Sequence, residues 1–109
     1  MIDDPAAVAR LMEEMRAHLP IPVLPTKELV RTLREQGLKI GRERVLYVKR
    51  VFYLGDEGGI ACDVTPGGDA KEAFVVSLTH LRIDPGNPRY QPIRAYQRER
   101  VRRIAESEQ

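Results

Sequence analysis

Three prolines fall within six residues in Pro20-Ile21-Pro22-Val23-Leu24-Pro25. Each lacks an N–H and fixes its own φ, and each biases the residue before it toward extended backbone. No helix can cross this segment, so whatever precedes it is a separate element. Because Ile21, Val23 and Leu24 are apolar, the segment is expected to be a stiff connector lying against the body of the fold. The competing reading, a polyproline-type ligand for a partner's aromatic groove, is weakened by the apolar residues between the prolines.

On either side the periodicity is helical. Asp4 precedes Pro5, a cap-and-first-turn pair, and Val8, Leu11, Met12, Met15 and Leu19 then recur at helical spacing on one face. Thr26 caps a second helix to about Gln36 with Leu29, Val30 and Leu33 inward. Glu28, Arg31 and Glu35 are spaced as surface ion pairs, and Gly37 is the stop.

Further on, the signals are those of strands. Residues 45–54 are rich in β-branched and aromatic side chains and end at Gly55-Asp56-Glu57-Gly58-Gly59, residues 60–65 follow, and residues 73–83 lie beyond a turn at Pro66-Gly67-Gly68-Asp69. After the breakers Asp84-Pro85-Gly86-Asn87-Pro88, a last helix is expected from about Pro92 to Ala105. Ile93, Tyr96, Val101 and Ile104 share its apolar face, and its tail frays from Glu106. With 109 residues, 42% of them hydrophobic, the expectation is one domain, residues 1–109. Its class is α+β: two N-terminal helices, a three-stranded antiparallel meander and a C-terminal helix packed on the sheet.

The last helix carries the most unusual charge pattern. Arg94, Arg98 and Arg102 recur every four residues and would stack as one cationic stripe, a mutually repulsive arrangement. Glu99–Arg103 and Arg102–Glu106 are spaced to pair within the helix, which leaves Arg94 and Arg98 to face water, the acidic stretch at residues 56–72, or an anionic partner. The net charge of +2 conceals blocks of alternating sign, −2 over residues 1–20, +5 over 21–54, −4 over 55–80 and +3 over 81–109. Such blocks either lie against one another or present oppositely charged faces.

Lys27-Glu28-Leu29-Val30-Arg31-Thr32-Leu33-Arg34-Glu35-Gln36-Gly37 resembles the first helix and turn of the winged-helix DNA-binding family. The resemblance implies recognition by residues 41–51 and a wing around Gly58-Gly59. Against it, Val45, Tyr47, Val48, Val51, Phe52 and Tyr53 favour a strand, and Asp56 and Glu57 at the wing tip would repel phosphate.

Catalytic and metal chemistry have little to stand on. His18 and His80 are the two histidines, neither with ligands at metal spacing, so no metal and no cofactor are expected. His80 and Asp84, four apart, could form an acid–base pair at a strand end, the basis of a small-enzyme reading. Cys62 alternates with Ile60 and Val64 and is expected buried and inert. The acidic glycine-rich run at 55–59 is a turn and not a phosphate loop. The first expectation is therefore a non-catalytic interaction or adaptor module that presents Arg94, Arg98 and Arg102 to an acidic protein. The alternative is a nucleic-acid binder with residues 42–50 as a second basic patch. No apolar run is long enough to span a membrane, and no secretory leader pattern opens the chain, so a cytoplasmic protein is expected. The long apolar strand at 45–54 suggests edge pairing into a homodimer.

Overall fold

The computed structural model describes residues 2–65 and 74–108. Helix α1 (Pro5–Arg16) starts as its sequence dictates: Asp4 is the cap, its carboxylate accepting the N–H of Ala6, and Val8, Leu11, Met12 and Met15 are buried. Helix α2 (Lys27–Glu35) is capped by the Thr26 hydroxyl, which accepts Leu29 N–H, and buries Leu29, Val30 and Leu33. It closes on Gly37 at φ +88°, with Leu38 N–H donating to Leu33 O and Gly37 N–H to Arg34 O, the double closure typical of a glycine stop. The expected pairs of Arg31 with Glu28 and Glu35 are not among the ion pairs of the described residues. At exposed sites such pairs contribute little.

The proline segment is not a connector. Ile21–Pro25 is strand β1, the central strand of an antiparallel sheet ordered β2-β1-β6, with β2 at Leu46–Val48 and β6 at Leu81–Arg82. The register explains how the two prolines within the strand, Pro22 and Pro25, are accommodated. Ile21 pairs with Val48, Pro22 with Tyr47 and Val23 with Leu46. Pro22 has no N–H, so the ladder bonds to β2 belong to Ile21 and Val23, and Pro22 faces β6 at a level beyond that two-residue strand. Pro25 faces β2 at a level before Leu46. Both missing donors fall where no partner strand stands opposite. Ile21, Val23 and Pro25 point into the core, while Pro22 and Leu24 point out.

The stretch at 45–54 is likewise not one strand. It divides at Lys49 into β2 and β3 (Arg50–Tyr53), which belong to different sheets. At the division Lys49 N–H donates to Asp63 O on β4 (Ile60–Asp63). Strands β3, β4 and β5 (Val75–Ser77) form the expected three-stranded antiparallel meander. The third expected strand is broken by a 3₁₀ turn at Leu78–His80, after which β6 joins the other sheet. The turn expected at 66–69 and the start of that strand at Ala73 lie outside the described residues.

Helix α3 (Tyr90–Ser107) begins before Pro92, which occupies its third position, where an N–H has no intrahelical acceptor in any case. It also runs past Glu106. Its buried face is Ile93, Gln97 and Arg100 with part-buried Tyr96 beside them, whereas Val101 is 59% exposed. One core holds side chains from all three helices and both sheets. The fold is α+β with the C-terminal helix packed on the sheets.

Candidate functional site

Helix α3 presents two faces with different roles. On the inner face Arg100 is 3% exposed and donates through Nη1 to Asp3 Oδ2 at 2.8 Å and through Nη2 to Asp56 O at 2.7 Å. The same Asp3 oxygen accepts Tyr53 Oη at 3.0 Å and Tyr96 Oη at 3.3 Å. Tyr96 Oη also accepts Ile60 N–H at 2.8 Å. Burial raises the Tyr96 hydroxyl to about 12, with Asp3 adding to the rise against the opposing Ile60 N–H and Arg100 charge. Tyr53 is raised too, by burial first and then by its bond to Asp3. Beside this cluster, Gln97 Nε2 donates to both Leu78 O and Leu81 O at 2.8 Å. These polar contacts dock the helix, since Ile93 is its only fully buried apolar side chain.

The outer face holds the arginine stripe. Arg102 is paired within the helix to Glu99 and Glu106, and Arg103 to Glu99 at 2.7 Å. Both spacings that suggested local pairing are thus occupied. The two guanidinium groups hold the Glu99 carboxyl below its usual range, and Glu99 and Glu106 raise Arg102. Arg94 Nη1 donates to Gln97 Oε1 at 2.9 Å, a neutral acceptor that leaves its charge uncompensated. Arg98 is exposed. Neither Arg94 nor Arg98 forms an ion pair among the described residues.

A groove of about 560 Å³ separates α3 from α1, with Ala7, Leu11 and Ala95 on its walls and Asp3, Tyr96 and Arg100 at its base. At one end Arg89 Nε lies 3.0 Å from Glu14 Oε1 without hydrogen-bond geometry. The groove's buried charges already satisfy one another.

The second basic stretch is also divided. Arg50 is bound by Asp63 at 2.9 Å and lies over the Phe52 ring. Asp63 is held below its usual range: burial pushes it up, but its bonds from Thr65 and Arg50 together outweigh that. Arg42, Arg44 and Lys49 are exposed and form no ion pair among the described residues. Arg82 reaches across β1, donating to Pro25 O and Arg42 O.

Residues 41–51, which a winged helix would use for recognition, are turn and strand, with Leu46 and Val48 alternating into the core on β2 and Val51 buried on β3. Gly58-Gly59 is no free wing: Gly59 lies under Tyr96 and Arg100. His80 and Asp84 form no hydrogen bond to each other. The Asp84 carboxylate accepts Gly86 N–H at 3.1 Å, and the two residues border separate depressions. Cys62 is fully buried, and burial pushes its thiol up to about 12.

Of the inner cluster, Tyr96 lies on the face expected to be apolar, whereas Gln97 and Arg100 carry no hydrophobic signal and were not expected there. The cluster's spacing from Ile93, at three, four and seven residues, was the one available clue. Comparison with protein-family models, curated proteins and solved structures returns no match. No helix among the described residues is long and apolar enough to cross a membrane.

Proposed function

We propose that this chain is a non-catalytic interaction module whose α3 meets an acidic protein surface through Arg94 and Arg98. What supports the reading is the contrast along the stripe: Arg102 has two carboxylates of its own, while Arg94 and Arg98 have none among the described residues. An uncompensated pair of guanidiniums on a rigid helix is pre-organised to bind carboxylates. Arg102, paired with Glu99 and Glu106, contributes less to this reading than Arg94 and Arg98.

The test is an anisotropy titration of a labelled oligoglutamate peptide. Arg98→Ala should weaken binding by about two- to fivefold, the scale of one exposed charge pair, and Arg102→Ala should leave it unchanged. Equal affinities for wild type and both variants sink the reading. A homodimer through the 45–54 stretch has less support. Val51 O on β3 is already taken by Arg16 Nη2, and antiparallel pairing of two copies about Tyr47 would set Arg44 against Arg50, a like-charge pair.

A further inference from the structure

The β2-β1-β6 sheet buries one face and leaves Pro22 and Tyr47 exposed on the other, which the loop at 84–87 borders. Because Pro22 and Tyr47 form a pair without ladder bonds, they are the closest kind of cross-strand neighbours. Two residues away on the same face stand Leu24 and Val45, and Arg82 lies opposite Leu24 on β6. Where a one-sided sheet normally shows polar residues to water, this one shows an apolar surface, on which Pro22, Leu24 and Val45 line a depression of about 480 Å³ that Arg82 and, from the following loop, Asp84 also border. Tyr47 is 50% exposed and Val45 45%. The adjoining loop supplies Arg42 and Arg44, whose charges no described carboxylate neutralises, and the Arg82 guanidinium is spent only on carbonyls.

We infer that this face binds single-stranded nucleic acid, a base stacking on the Tyr47 ring beside Pro22 and the backbone phosphates meeting Arg42 and Arg44. An exposed aromatic ring beside an apolar surface with cations at the rim supplies the two interactions such strands need, stacking and phosphate neutralisation. An acidic peptide would use the cations but has no use for the ring. Duplex is disfavoured, since it offers phosphates to the cations but keeps its bases stacked away from the ring. The inference concerns a different surface and partner from the α3 reading and stands independently of it.

The experiment titrates labelled single-stranded oligonucleotides, DNA and RNA, and the matching duplex at about 50 mM salt. Wild type should bind the single strands in preference to the duplex, with affinity falling as salt rises. Tyr47→Ala should weaken single-strand binding by about fivefold or more, the loss of one stacked base, whereas Tyr47→Phe should retain it. Arg44→Ala should weaken binding and flatten the salt dependence. Tyr47 is solvent-facing, and an unchanged thermal midpoint for its variants verifies the fold. No oligonucleotide binding, binding indifferent to Tyr47→Ala, or binding lost only in Arg98→Ala each overturns the inference. Oligoglutamate binding that depends on Tyr47 assigns the face to an acidic peptide and overturns it as well.

Discussion

Gly59 is the floor on which Tyr96 rests. At φ +63°, a Cβ built on Gly59 would stand 2.3 Å from Tyr96 Oη and 2.8 Å from the Arg100 guanidinium carbon. The hairpin between β3 and β4 therefore needs glycine there twice over, for a left-handed backbone and for the space that α3 occupies. Gly59→Ala should destabilise the fold by about 2–4 kcal/mol, combining backbone strain with overpacking. Gly55→Ala, left-handed at φ +73° with open space around it, should cost about 1 kcal/mol. Denaturant melts of the two variants give the comparison, and equal losses would show that the contact with Tyr96 is unimportant.

The Asp3–Arg100 pair is nearly sealed from water, each side chain 3% exposed. Removing one partner strands the other, so Asp3→Leu or Arg100→Met alone should cost about 3–5 kcal/mol. The double variant Asp3→Leu/Arg100→Met should recover much of the loss, because an apolar replacement leaves no buried charge behind. A double-mutant cycle measures the coupling, and strictly additive losses would mean that the two groups act separately.

Tyr96 links the cluster to alkaline stability. Its hydroxyl is raised in the folded state, from 10.0 to about 12. The stabilisation this represents is complete below pH 10 and is lost as pH rises toward 12, because the unfolded chain releases the proton first. Melting midpoints should fall across that window in wild type, and Tyr96→Phe should remove part of the fall at the cost of a lower midpoint near neutrality. A profile unchanged by the substitution would place the alkaline sensitivity elsewhere.

Asp63 acts at the other end of the scale. Its carboxyl is lowered in the folded state by Thr65 and Arg50 in excess of the burial that opposes them. Its stabilisation is present above the usual carboxylate range and is lost as pH falls through its depressed value. Asp63→Asn should destabilise the protein near neutrality and shrink the difference between neutral and acid midpoints.

Cys62 should be silent toward thiol reagents in the native protein. With no exposed surface and a thiol raised to about 12, it should react at mild alkaline pH only as fast as the fold opens, and at the ordinary thiol rate once denaturant is added. Rapid labelling without denaturant would contradict the burial.

How much of this was legible in the residues varied with the physics behind each element. Asp4 and Thr26 act through side chains that reach N–H groups two or three residues on, and Gly37 through its own backbone, so the first two helices could be read almost to their ends. Pro22 and Pro25 could not be read as strand residues, since only the pairing register shows that their missing donors face empty positions. The division at Lys49 was hidden for a similar reason: Val48 and Val51 both look like strand, and nothing local says that they serve different sheets. On α3 the arginines could be counted but not sorted. Arg100 turned inward because Asp3, 97 residues away, was waiting there, while Arg102 found its acids one turn to either side. Local spacing foretold the second outcome and could not foretell the first.

The division at Lys49 leaves the two sheets sharing one unbroken run of backbone, with Val48 locked in one ladder and Arg50 in the other. A fluctuation that frees either ladder must pull on its neighbour through a single residue. Amide exchange should therefore return one common opening free energy for Val48 and Phe52, as though the six strands were a single sheet that happens to bend.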